Sequence, residues 1–224
     1  MGFTDARILL FPVKSMKGVF AWVTCPAVIN RFLSDLKIAT VSGPPLHFEE
    51  NTISPGSSCI VKKGNIHSKA ILEEYTIEVK EDEACQSFSK WLSEIILPED
   101  AVYNDLKKKL SEDLIILDDD LFCDFTKLST EVTTRTKIDN ETGTVKGTAL
   151  FTEEYLPAET VMYSLAIVSP IFSPIKGSFN GQNDVEKLEK FLTEGLEGVI
   201  QIGGNASLGK GLASVKMFNV SEVG

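Results

Sequence analysis

Residues 129–155 read STEVTTRTKIDNETGTVKGTALFTEEY. Two runs rich in Thr and Val flank the tetrapeptide NETG. β-Branched side chains suit a pleated, half-buried surface, and Asn and Gly supply the backbone freedom of a tight reversal. This is the clearest hairpin in the chain, and any fold has to accommodate it.

The remaining elements alternate between sheet and helix. ARILLFPV (6–13) is an apolar run that reads as a buried strand, KSMKG (14–18) is a short basic turn, and VFAWVTC (19–25) is the next strand. Pro26 suits the first turn of a helix in which Val28, Phe32 and Leu36 share a face. Residues 43–58 are rich in Gly, Pro and Ser and read as a long loop. AILEEYTIEVK (70–80) reads as a strand and 83–110 as helical, with Phe88, Trp91, Leu92 and Ile95 on one face and a break at Pro98. LIILDDD (114–120) is a strand leading into an acidic helix start, which favours the helix dipole. After the hairpin come a long buried strand at 160–170 and a helix at 183–196 with Val185, Leu188, Phe191 and Leu192 facing inward. Two strands, 198–202 and 211–220, close the series. This order predicts an α+β fold on an antiparallel sheet, of the ferredoxin or RNA-recognition-motif class. The chain begins almost inside a strand, so a preceding N-terminal portion is expected.

Charge narrows the functional classes. The net charge of −10 argues at first against nucleic acid. Its distribution weakens that objection. Residues 81–124 hold 13 acidic residues against 4 lysines, whereas the first 37 residues sum to +3. The excess sits in one block, most simply a solvated helical face, and another surface remains open to a phosphate backbone. No apolar run reaches the roughly 20 residues of a membrane helix, and no signal-peptide pattern is visible. Cys25, Cys59, Cys85 and Cys123 are scattered without a CxxC pair, which fits free thiols in a reducing cytoplasm. His47 and His67 lie in a polar loop region and read as surface residues.

QIGGNASLGKGL (201–212) approaches a nucleotide-binding P-loop. Gly204, Gly209 and Lys210 fit that pattern, but Gly211 stands where a magnesium-binding hydroxyl is required. A strand follows instead of a helix, so no helix N-terminus faces a phosphate. Nucleotide hydrolysis is therefore disfavoured. Four glycines can still let backbone N–H groups converge on a polyanion, or serve only the dihedrals of a turn.

GGNASLGKG resembles the C-terminal glycine-rich signature of the RAMP superfamily. DARILLFPVKSMKGVFAWVTCPAVINRF (5–32), DDLFCDFTKLSTEVTTRTKIDNETGTVKGTALFTEEYLP (119–157) and QIGGNASLGKG (201–211) together resemble the repeated backbone subunit of the type III-B (Cmr) CRISPR effector. The resemblance implies a ferredoxin-like palm and a protruding β-hairpin thumb. Palm would occupy 1–128, with a helical acidic lobe at about 81–124. The thumb would be 129–157, and 158–224 would complete the palm with the glycine loop. Copies of such a subunit stack along the guide CRISPR RNA and contact other Cmr subunits. Target RNA is cut beside each thumb in a divalent-metal-dependent reaction (Mg or Mn), whereas guide binding needs no cofactor. Base pairing reads the sequence, and the protein reads backbone and shape. No membrane partner is implied, and the expected location is the cytoplasm.

On this resemblance, Lys14, Ser15 and Lys17 are expected to contact guide phosphates, with Gly18 permitting close approach. Arg135 and Lys137 alternate on one thumb strand. Gly203, Gly204, Asn205, Gly209, Lys210 and Gly211 form the glycine loop, which in related proteins packs beside the first helix. The family's main catalytic aspartate belongs to a segment preceding the residues present here. Asp5 and Glu153 match secondary acidic positions, as auxiliary catalytic or metal-supporting groups; strand-edge and surface-charge roles are the alternatives for both. Weak or absent cleavage by this chain alone is expected. Two other readings stay open: a non-catalytic RNA-binding scaffold, and a repeat-RNA processing endoribonuclease of the same superfamily, which the scarcity of histidines disfavours.

Overall fold

The computed structural model describes residues 1–41, 43–44, 47–63, 68–173, 177–179, 184–196 and 198–217, with backbone only at 62–63, 146–149 and 178. The first half of the chain runs β1 (Gly2–Phe3), β2 (Arg7–Lys14), β3 (Phe20–Thr24), α1 (Pro26–Ile38), β4 (Thr52–Ile53), β5 (Ile60–Lys63), β6 (Ser68–Leu72), β7 (Tyr75–Glu81), α2 (Glu83–Ile96) and α3 (Asn104–Glu112). Then follow β8 (Leu114–Ile116), α4 (Asp119–Leu128), β9 (Glu131–Ile138), β10 (Val145–Tyr155), β11 (Val161–Tyr163), β12 (Ala166–Ile167), α5 (Asp184–Leu196), β13 (Gly198–Gln201) and β14 (Leu212–Val215).

The palm is an eight-stranded sheet in the order β11-β2-β3-β8-β4-β7-β6-β5. It is mixed: β3–β8 and β4–β7 run parallel, and its other pairings are antiparallel. Both faces are covered, which explains the unbroken apolar runs ILLF and LIIL. On one face Phe11, Val13, Val23 and Ile115 pack with Phe122 and Phe125 of α4. On the other, Leu10, Trp22, Leu114 and Ile116 meet Ile29 and Phe32 of α1, Phe88 and Leu92 of α2, and Leu110 of α3. The acidic block thus turns an apolar stripe to the sheet. Its carboxylates also cap helices: Asp82 accepts the Ala84 N–H at 2.9 Å, and Asp118 accepts that of Leu121 at 2.8 Å.

Four expectations are corrected. The 43–58 loop contains β4, which sits between β8 and β7 in the sheet interior. Residues 70–80 are not one strand but the hairpin β6–β7, reversed at Glu73, where φ is +49°. The long buried strand at 160–170 is two short pieces. β11 joins the palm, whereas β12 pairs with β1 as a separate ribbon. In α5, Leu188 and Leu192 are buried, but Phe191 is exposed and meets Phe179 edge-on at 5.7 Å. The end of the 211–220 run, residues 218–220, and residue 183 lie outside the described residues, as does His67. His47 is exposed.

Among the described residues, the β9–β10 hairpin is a ribbon with no strand beyond its own two. Its turn forms where the sequence places it. The Asp139 carboxylate accepts the N–H groups of Glu141 and Thr142 at 2.9 and 3.2 Å. A register shift between Val145 and Leu150 interrupts the regular pairing of the outgoing arm.

Candidate nucleic-acid interface

β2 and β3 are joined by the KSMKG turn. Ser15 N–H donates to Val19 O at 3.0 Å, and Phe20 N–H donates to Gly18 O at 2.9 Å. Gly18 and Val19 both have positive φ, +71° and +70°. For the β-branched Val19, 81% exposed, that conformation is strained. The β6–β7 turn supports the other flank: Met16 N–H donates to Ile71 O at 3.0 Å, and Glu73 N–H to Lys14 O at 2.9 Å. Lys14 and Lys17 are exposed. Neither ammonium group has an ion-pair partner among the described residues. At Gly18 the space a Cβ would need is filled from within, by Ser58 Oγ at 2.3 Å. This glycine therefore serves internal packing.

The glycine loop joins β13 to β14. Gly203, Gly209 and Gly211 have φ of +89°, +68° and +76°, and a Cβ at Gly211 would lie 1.9 Å from Ile202 O. Part of its backbone is already committed. The N–H groups of Leu208 and Lys210 donate to Asn205 O at 3.0 and 3.2 Å, and that of Gly209 donates to Ala206 O at 2.9 Å.

The loop's described side-chain bonds run to the hairpin base rather than to α1. Asn205 Nδ2 donates to Glu153 Oε1 at 3.3 Å and to the Tyr155 hydroxyl at 3.1 Å. Lys210 Nζ lies 3.0 Å from Glu131 Oε2 and 4.6 Å from the Tyr155 ring centre. Tyr155 donates its hydroxyl proton to Glu153 Oε2, and Arg135 pairs with the same carboxylate oxygen. The Tyr155 hydrogen bond, then Asn205 and Arg135, hold the Glu153 carboxyl below its ordinary range. In turn Glu153 raises the Tyr155 phenol above its ordinary value. At neutral pH the junction is thus a carboxylate bridged to a protonated phenol. Both Glu153 oxygens thus have partners among their neighbours, Oε2 two and Oε1 one.

The expected site residues therefore fall into two groups. Lys14 and Lys17 project without ion-pair partners among the described residues, with Ser15 and Gly18 shaping their turn. Arg135, Glu153, Asn205 and Lys210 are bonded to one another or to neighbours, while Lys137 is exposed farther along the same strand. Gly204 has open space around its Cβ position. Asp5 is exposed between β1 and β2. Among the described residues there is no group of three or more His, Cys, Asp or Glu side chains able to hold a metal. A groove of about 560 Å³ is lined by Lys14, Glu74 and Tyr75, by Asp124 and Leu128 of α4, and by Val132 at the start of the hairpin. Sequence reasoning passed over Tyr155. Its signal was the alternation in FTEEY, which puts a carboxylate and a phenol two apart on one strand face.

A family profile described as the RAMP superfamily matches residues 3–214. The chain is 36% identical to the CRISPR system Cmr endoribonuclease Cmr4 of Pyrococcus furiosus, covering 98% of this chain and 70% of that protein. The crystal structure of oligomeric Cmr4 from Pyrococcus furiosus superposes with a TM-score of 0.67 at 31% identity, over 94% of this chain and 69% of the other. A cryo-EM structure of type III-B Cmr-beta bound to cognate target RNA contains a chain with TM-score 0.63 at 17% identity, over 94% and 67%. That last likeness speaks to fold alone.

Proposed function

The chain belongs to the RAMP superfamily, and from that premise we propose that it is a guide-RNA-binding backbone subunit of a type III-B CRISPR effector. The single observation that carries the reading is the 36% identity, running through 98% of the chain, to a Cmr endoribonuclease. The geometry supports it. Two lysines outside the described ion pairs stand on a turn held by hydrogen bonds to the β6–β7 reversal, and a two-stranded ribbon stands apart from the palm sheet. Phosphate contacts position such a protein without reading sequence. Further copies of itself and other Cmr subunits are its proposed protein partners, and target RNA pairs with the bound guide. Its four cysteines are free thiols, which suits a cytoplasmic location. No helix among the described residues is long and apolar enough to cross a membrane.

Cleavage of guide-paired RNA is the proposed activity of the assembled subunit, with Mg²⁺ or Mn²⁺ as the metal. In-line attack by a ribose 2′-hydroxyl requires its deprotonation and stabilisation of the leaving oxygen. Asp5 and Glu153 would bring at most two carboxylates to a metal, and Glu153 is already drawn on by Tyr155, Arg135 and Asn205. Glu153 is better suited to orienting Tyr155 and Asn205 at the hairpin base. The test is cutting of a guide-paired RNA by the assembled complex with Mg²⁺ or Mn²⁺, for the native chain and Glu153→Gln. A loss of tenfold or more in rate with guide affinity retained supports the role, and an unchanged rate refutes it. The bonds that Tyr155, Arg135 and Asn205 already make to Glu153 favour one second reading, a scaffold subunit that binds RNA without cutting it. That reading predicts no cleavage with either metal.

A further inference from the structure

The turn that carries Lys14 and Lys17 is held by residues far from it in sequence. Lys109 of α3 donates from Nζ to Gly18 O at 2.7 Å and to Asp113 Oδ2 at 2.7 Å. The Asp113 side chain is only 4% exposed. It accepts three further hydrogen bonds from a single segment. Ser57 Oγ at 2.7 Å and Ser58 N–H at 2.8 Å reach Oδ1, and Ser58 Oγ at 2.7 Å reaches Oδ2. Ser58 Oγ is also the atom that fills the Cβ space at Gly18. Asp113 O accepts the Trp22 N–H at 3.1 Å, which fixes the strand leaving the turn. The Lys109 ammonium also lies 4.6 Å from the Phe20 ring centre.

Two arms therefore run from one buried carboxylate to the same glycine, one through Lys109 and one through Ser58. Immediately after the clamped glycine, Val19 holds its strained left-handed conformation. A strained residue of this kind persists only where its surroundings over-determine it. A buried charge network is a large commitment for a turn that needs only to reverse the chain, since a glycine-containing reversal forms without one.

Resting on the guide-binding reading above, we propose that Lys109 and Asp113, with Ser57 and Ser58, are positioning residues for guide-RNA binding. They set the KSMKG turn so that Lys14 and Lys17 meet the sugar-phosphate backbone together. The pair is neutral as a unit, so it does not attract phosphate by its own charge. Its effect on binding passes through the turn.

The test compares four forms of the full chain: native, K109M/D113N, K14Q/K17Q, and the combination of all four substitutions. K109M/D113N removes both charges together and so leaves no orphan buried ion. S58A, which keeps the ion pair, serves as a milder second variant. Binding of a fluorescent single-stranded CRISPR guide is measured across a salt series, alongside urea unfolding and amide exchange at residues 15–20. Removing one lysine–phosphate pair lowers the slope of log K against log salt by about 0.7. K109M/D113N is expected to lose tenfold or more in affinity, to approach the K14Q/K17Q slope, and to speed exchange at 15–20. The combined variant is expected to bind no more weakly than K14Q/K17Q. A K109M/D113N or S58A protein that is less stable yet keeps native affinity and slope overturns the inference. If the native chain itself shows no salt-dependent binding, the guide-binding reading fails first and the inference falls with it.

Discussion

β8 and β10 both carry apolar and β-branched residues, yet those residues live in different environments. Leu114, Ile115 and Ile116 of β8 are fully buried, whereas Leu150 of β10 is 69% exposed and Phe151 is 48% exposed. Helices on both faces of the eight-stranded sheet make the difference. Among the described residues, every buried hydrophobic side chain lies between Leu9 and Phe125, save Leu188 and Leu192 of α5. The palm completes its own core. The hairpin and the β13–β14 ribbon present apolar and polar groups alike to whatever lies outside, as parts that meet RNA and neighbouring subunits would.

The sharpest way to break this contrast is to cut both regions equally. Phe88 packs against Phe48 at 4.8 Å and Trp91 at 5.9 Å and is fully buried. Phe88→Ala is expected to cost about 3–5 kcal/mol in urea unfolding. Phe151→Ala is expected to stay within about 0.5 kcal/mol. Equal losses would show that the hairpin is part of the palm's cooperative core.

A smaller effect is expected at Asp113, where palm and turn meet. Burial alone would raise this carboxyl, but the hydrogen bonds from Lys109, Ser57 and Ser58 outweigh it and hold it below the ordinary aspartate value. A carboxyl depressed in the folded state adds stability above its unfolded pKa, about 3.9. That stability is lost as pH falls through the folded value. Asp113→Asn should cost about 2–4 kcal/mol at neutral pH. The gap from the native chain should shrink on acidification below about pH 4. A gap independent of pH would remove the ionised carboxylate from the account.

The smallest effect tests the ribbon. Gly211→Ala places a Cβ against Ile202 O in a left-handed backbone, at a cost of about 1–3 kcal/mol. Hydrogen exchange should accelerate across 199–215 while the palm amides stay protected. Acceleration throughout the palm would mean that the two regions open together.

Much of this contrast was legible in the sequence. Pro26 after an apolar strand, the NETG reversal and the Asp-rich helix starts are local signals, and each formed its element. β4 was hidden because a two-residue strand has no period, and its Gly/Pro/Ser-rich neighbours read as loop. The β6–β7 reversal was hidden because Glu73 adopts a left-handed turn without Gly, Asn or Pro to mark it. The interface was half legible. The basic turn stood out, but the pairing of Arg135 with Glu153 and of Lys210 with Glu131 depends on residues far apart in the chain. So does the hold of Lys109 on Gly18, across 91 residues. Charge in a sequence counts every lysine alike. Folding separates those already neutralised from those left to bind.

Guide-RNA binding across a salt series, for the native chain, K14Q/K17Q and K210Q, reads that separation directly. The native chain should bind with a steep salt dependence, and K14Q/K17Q should lower the slope by about 1.4, two phosphates at about 0.7 each. K210Q, whose lysine already pairs with Glu131, should change it less. A slope untouched by K14Q/K17Q, or a larger loss at Lys210, would contradict the account and return the phosphate cradle to the glycine loop.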